Sequence, residues 1–251
     1  MTKEKIKVTA VSYINTLPFI YGLLNYRKLK DIIELKLLTP AKCAETWIQG
    51  ETDIALLPVG AMQQSDMDHI CCNYCLGATG KVKTVLLFSQ RPIEELDTIF
   101  LDHESRTSVL LIKIIAQHFK HINLQYRNYN PGLPLRDNEG LMLIGDKTFG
   151  YVSDFTYQYD LAEEWHHHTG LPFIFAVWVA QKEVDKNIKK VIDEALGWGL
   201  TQIDKVVEHY NNDLLTKDEL RRYLTENISF TLTDKKLEGM QLFSSLVKLY
   251  S

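Results

Sequence analysis

Small polar residues collect at points where an apolar run gives way to a helical pattern. In "VSYINTLPFIYG" (11–22), Ser12, Asn15 and Thr16 occupy such a junction. Free backbone N–H groups and the positive end of a helix dipole emerge there. An Asn amide donates and accepts at once, so this corner suits a carboxylate or hydroxyl ligand. The competing reading is that Asn15 or Thr16 merely caps the helix.

"LDHESRTSVLL" (101–111) repeats the arrangement with Asp102, Ser105, Arg106, Thr107 and Ser108. Ser105 satisfies the need for a cap, and the remaining polar residues exceed it. Arg106 is suited to clamp a carboxylate in bidentate fashion, or else points to solvent. In "CLGATGKVKT" (75–84), Gly77, Thr79 and Gly80 can bring backbone N–H groups close to a ligand. Asp146 ends "LMLIGD", the place for a cleft carboxylate or a helix cap. No phosphate-loop, GxGxxG, HExxH or GxSxG pattern occurs. His166, His167 and His168 are consecutive, so on a helix they project in different directions and do not form a metal site.

The elements that must position these residues follow from periodicity. "IKVTAVSY", "IELKLL" and "TDIALLPVG" read as buried strands alternating with helices. Thr39-Pro40 marks a helix start, with a hydroxyl cap and proline at the first helical position, and Gly50 marks its end. "VKTVLLFSQ" is a long β-rich run, and the pattern restarts after Pro92. "TIFLD", "LQYRNYN" and "LMLIGD" are further strands, with a helix from Ser105. "FIFAVWVA" (173–180) mirrors "VKTVLLFSQ", and apolar residues then recur at helical spacing from 188 to 210. Such alternation implies an α/β fold with mixed, mostly parallel sheets. It divides into lobe 1 (1–90 and 180–251) and lobe 2 (91–179), joined by two crossovers that act as a hinge, with the ligand cleft between them.

Composition narrows the function. The chain has 251 residues, 45% of them apolar, which suits one large domain or two smaller ones. A net charge of -4 with no clustered basic run argues against a nucleic-acid partner. "MTKEKIKVTA" lacks the apolar core of a secretory signal, and no run approaches the ~18 apolar residues of a membrane span. The expectation is a cytoplasmic protein that crosses no membrane, and the sequence is silent on oligomeric state. Cys43, Cys71, Cys72 and Cys75 are then thiols; one CxxC is too few ligands for a structural zinc, so core packing is expected.

Six blocks together carry a family resemblance: "VSYINTLPFIYGL", "DIALLPVGA", "YCLGATGKVKTVLLFS", "LDHESRTSVLL", "LMLIGD" and "DLAEEWHHHTGLPFIFAVWV". Over residues 8 to 180 the chain resembles the chorismate dehydratases of the futalosine route to menaquinone. The resemblance implies a type II periplasmic-binding-protein-like fold, and chorismate as a small-molecule substrate. It implies conversion of chorismate to 3-[(1-carboxyvinyl)oxy]benzoate and water, with no metal or organic cofactor. It is compatible with substrate-assisted catalysis, in which the enolpyruvyl carboxylate removes the ring proton. On that reading Asn15 attends the departing hydroxyl or that carboxylate. Ser12, Thr16, Gly77, Thr79, Ser105, Arg106, Thr107 and Asp146 contact or position the substrate. One departure is Gly60-Ala61 after "PV", where relatives can carry serine; backbone N–H groups would replace the hydroxyl. The naphthoate synthase of the same pathway is the nearest enzymatic rival, and a non-catalytic carboxylate binder is the rival of another class.

Overall fold

The computed structural model describes residues 5–132, 134–211 and 213–250. The chain runs through β1 (Ile6–Val11), α1 (Leu17–Asn25), β2 (Ile33–Leu38), α2 (Pro40–Ile48), β3 (Ile54–Pro58) and β4 (Ile70–Ala78). There follow β5 (Val85–Ser89), β6 (Thr98–Leu101), α3 (Arg106–Ile114), β7 (Gln125–Asn128), β8 (Glu139–Ile144), β9 (Tyr157–Asp160) and α4 (Leu161–Thr169). The return comprises β10 (Phe173–Ala180), α5 (Lys186–Leu200), α6 (Ile203–His209), α7 (Lys217–Arg222), β11 (Ser229–Thr231) and α8 (Asp234–Tyr250).

Two sheets result, ordered β11-β4-β10-β3-β1-β2 and β7-β6-β8-β5-β9. The chain leaves the first sheet after Ala78 and re-enters it at Phe173, earlier than the punctuation at 90 and 180 implied. The sheets are mixed, but the expectation that parallel pairing predominates needs correcting. Parallel pairs join β1 to β2 and β3, and β6 to β7 and β8; the other five of the nine pairings are antiparallel. Two of the five arise from the crossover, because β10 returns between β3 and β4 and runs against both.

Local chemistry accounts for most elements. β3 is buried at every position, as a helix-covered strand should be. Gly50 ends the α2 segment at φ 69°. Thr39 precedes Pro40 as anticipated, yet its hydroxyl makes no capping bond. α1 and α5 touch through glycines, because a Cβ at Gly22 would stand 2.1 Å from the Ala195 carbonyl oxygen. The Phe19 ring fixes α1 on the sheet, edge-on to Trp178 and Phe230 at 5.9 and 5.2 Å. On the far side Phe243 of α8 meets Phe173 and Trp165 at 5.1 and 6.1 Å. Cys43, Cys72 and Cys75 are buried and Cys71 half-buried, all as free thiols. The apolar run from 188 to 210 breaks between α5 and α6, and β9 and β11 are strands too short for periodicity to announce.

Candidate active site

β1 ends at Val11, and the Ser12 N–H donates to the Leu38 carbonyl, continuing the ladder for one more bond. A tight 3₁₀ turn at Ile14–Thr16 then lifts Asn15 ahead of α1. No side chain caps this turn or α1. Instead the Ile14 N–H donates to both carboxylate oxygens of Asp146, at 3.0 and 3.2 Å. Asp146 follows β8 of the other sheet, so the first corner is held from across the molecule. The Thr16 hydroxyl donates to Asn15 Oδ1 at 3.0 Å and so orients the amide.

The second corner supports itself. Ser105 Oγ accepts from the Ser108 N–H at 3.0 Å and donates to Ser108 Oγ at 3.0 Å. That is a regular N-cap for α3. Thr107 reaches the opposite sheet: the Gly60 N–H donates to Thr107 Oγ1 at 2.9 Å, and that hydroxyl points at the Phe175 carbonyl, 3.5 Å away. A Cβ at Gly60 would fall 2.5 Å from Thr107 Cα, so glycine is what permits this approach.

Between the corners lies a cavity of about 50 Å³. Asn15, Gly77, Ser105 and Thr107 line it together with Tyr13, Thr84, Ser108 and apolar side chains, and no residue of its wall is an Asp, Glu, Lys or Arg. Four of the nine residues assigned to the substrate therefore meet in one place. The others do not line it. Ser12, Thr79 and Arg106 are exposed, Thr16 is buried under Asn15, and Asp146 sits half-buried behind the turn. The exposed Arg106 takes the solvent-facing alternative of its two readings.

The sequence reading passed over Tyr13, Thr84 and Tyr223. Tyr13 lies against Gly145, where a Cβ would stand 2.8 Å from its ring, and its hydroxyl donates to Glu104 at 2.8 Å. Lys147 joins the same rim, 2.7 Å from both Glu104 and Asp102. Thr84 and the buried Tyr223 share a 2.8 Å hydroxyl–hydroxyl contact. Burial pushes the Tyr223 phenol far up, while Thr84 and the Asn15 amide act to lower it. Thr84 sits inside a β-rich run, and Tyr223 in a helical tail without a pattern of its own. Neither position advertises chemistry.

Burial raises Asp146 to about 6, against the lowering effect of the Ile14 N–H. Tyr13 is pushed well up by burial first and by the Glu104 bond next. The Tyr13 and Tyr223 phenols therefore stay neutral near pH 7, whereas Asp146 is mostly ionised there. Away from the cleft, His168 stacks on Phe119 at 4.8 Å and His166 Nδ1 contacts the Leu171 carbonyl at 3.2 Å. Among the described residues no three His, Cys, Asp or Glu side chains converge as a metal site, and no helix is long and apolar enough to cross a membrane.

Comparison with known proteins adds a family and a fold. A family model described as menaquinone biosynthesis matches residues 6–248. A chorismate dehydratase of Thermus thermophilus is 24% identical over 92% of this chain and 96% of its own. One from Campylobacter jejuni is 26% identical over 95% and 96%. The 1,4-dihydroxy-6-naphthoate synthase of Thermus thermophilus is 22% identical over 71% and 67%. Among solved structures, a protein of Archaeoglobus fulgidus superimposes with a TM-score of 0.72 at 12% identity, covering 98% of this chain and 97% of its own. A Candida albicans protein described as having the generic periplasmic-binding-protein fold gives 0.65 at 13%, covering 98% and 94%. The fold is thus periplasmic-binding-protein-like, as the resemblance implied.

Proposed function

Because the chain belongs to the menaquinone-biosynthesis family, we propose that it dehydrates chorismate to 3-[(1-carboxyvinyl)oxy]benzoate, as a carbon–oxygen lyase acting in the cytoplasm. One observation carries the reading: Asn15 from one sheet and Ser105 and Thr107 from the other line a single cavity whose polar groups are uncharged. Such a wall orients hydroxyl and carboxylate groups by hydrogen bonds. Loss of the ring hydroxyl with the adjacent ring proton leaves an aromatic ring, and aromatisation supplies the driving force. In keeping with the family resemblance, the enolpyruvyl carboxylate of the substrate serves as the base, and the absence of carboxylates and imidazoles from the cavity wall is compatible with that. It takes the ring proton, the electron pair enters the ring, and the hydroxyl departs as water on receiving that proton from the carboxylic acid just formed. Asn15 attends the departing hydroxyl or that carboxylate. The backbone at Gly77 and the hydroxyls of Ser105 and Thr107 hold the rest of the molecule. Asp146 fixes the turn that presents Asn15.

Ligand sites for molecules of this size span about 300 Å³ or more. The present 50 Å³ is too small for such a molecule, so the cavity must widen when substrate enters. The two sheets are the cores of two lobes that part to admit substrate and close on it, bending where the chain crosses between them. Gly60–Thr107, Ile14–Asp146 and Tyr13–Glu104 are the contacts that open.

The naphthoate synthase reading is weaker, because that relative matches over 71% of the chain against 92% and 95% for the dehydratases. The deciding experiment incubates purified protein with chorismate and follows products by ultraviolet absorbance and mass spectrometry. A new aromatic acid lighter than chorismate by one water supports the proposal. Chorismate bound but unchanged would make the protein a binder.

A further inference from the structure

Lys236 of α8 is 1% exposed, and no Asp or Glu of the described residues pairs with it. Its Nζ donates to the carbonyls of Ser229 and Thr231 at 2.5 and 2.7 Å, and to Cys75 Sγ at 3.4 Å. Two carbonyls and a sulfur give acceptors for the three N–H bonds of an ammonium. The site can therefore accommodate a buried cation, and it supplies no counter-charge for one. Burial opposes this by lowering the pKa, and Cys75, the titratable group facing Lys236, partly offsets the lowering. A charge buried without a partner is costly, and an anion placed nearby relieves the cost.

Its position shows where such an anion would sit. Ser229 is opposite Gly77 in the β11–β4 pairing, and a Cβ on Gly77 would stand 3.4 Å from Lys236 Nζ. Gly77 and Ile228, the residue before Ser229, both belong to the cavity wall. The ammonium therefore lies directly behind a wall that holds no cation itself. A side chain larger than hydrogen at residue 77 would intrude between them.

We infer that Lys236 is a charge-positioning residue: through the backbone at Gly77 it supplies the positive potential that retains a doubly negative ligand in an otherwise uncharged cavity. The inference rests on the proposed substrate, which carries two carboxylates. Field effects of this kind act without contact and favour the more highly charged ligand.

The test begins with unmodified protein, whose turnover of chorismate checks the substrate reading separately. Lys236→Met and Lys236→Gln are then compared with it; the second keeps a donor for the carbonyls but loses the charge. The expected result is a KM for chorismate raised roughly tenfold or more, with the loss falling on KM rather than kcat. Affinity for the diacid product should fall more than affinity for its mono-methyl ester. Equal weakening of diacid and monoester, or an unchanged KM, would assign Lys236 a purely structural role and overturn the inference. Should both variants lose their circular-dichroism signal, the diacid-to-monoester affinity ratio of the unmodified protein is measured from pH 7 to 10. A ratio that falls as Lys236 loses its proton supports the inference, and a flat ratio sinks it.

Discussion

The two strand-to-helix corners that face each other across the cavity are built in opposite ways. At the β6–α3 corner, Ser105 caps its own helix through Ser108, within four residues of chain. At the β1–α1 corner no local side chain caps anything, and the Ile14 N–H is satisfied by Asp146, 132 residues away. One corner is preformed by local sequence; the other acquires its shape only when the sheets meet. A cleft with one fixed wall and one wall set by closure can couple closure to the placement of Asn15.

The largest effect should come from the wall set by closure. Asn15→Ala is expected to lower kcat by roughly 10²-fold, the usual loss for one positioned polar group. Steady-state assays with chorismate measure it, and near-normal turnover would remove Asn15 from the mechanism. Next comes the contact between the walls. Gly60→Ala forces a methyl to within 2.5 Å of Thr107 Cα, at a cost of about 1–3 kcal/mol to the closed form. Small-angle scattering should then show a more expanded protein and less compaction with product bound. Scattering identical to that of the unmodified protein would mean the walls do not separate at this point.

The preformed corner should respond in stability before turnover. Ser105→Ala removes the cap of α3 and should cost about 1 kcal/mol by thermal or urea unfolding. A loss of kcat far beyond that would mean that Ser105 also touches the reacting groups. The smallest effect is a slope. Asp146 keeps its proton to about pH 6 in the folded chain, whereas an ordinary Asp releases it near 3.8. Between these values the unfolded chain loses its proton first, so rising pH favours unfolding. Relative to Asp146→Asn, the unmodified protein should therefore lose stability from about pH 4 to about pH 6 and change no further above that. Parallel melting curves of the two proteins across this range would dismiss a buried Asp146 carboxylate.

Legibility in the sequence follows the same division. The β6–α3 corner could be read because a cap, its helix and its strand lie within eleven consecutive residues, "LDHESRTSVLL". β3 and β10 announce themselves by unbroken apolar runs, since a strand covered on both faces tolerates nothing else. β11 did not, because three residues at a sheet edge are too few to show alternation. Asn15 and Gly77 were legible as candidates from the company they keep. Arg106 could not be decided from sequence: a helix start allows a side chain to turn inward or outward, and here it is exposed and off the cavity wall.

By itself the sequence determined where strands yield to helices, which small polar residues stand at those junctions, and that this chain would carry an α/β core. These are local matters of periodicity, capping and burial. Tertiary structure alone decided which junctions face one another, that Asp146 would hold the turn of Asn15, that Thr107 would clasp Gly60, and that Lys236 would come to rest behind Gly77. Each of those contacts joins residues between 47 and 159 positions apart, and no local propensity reaches so far.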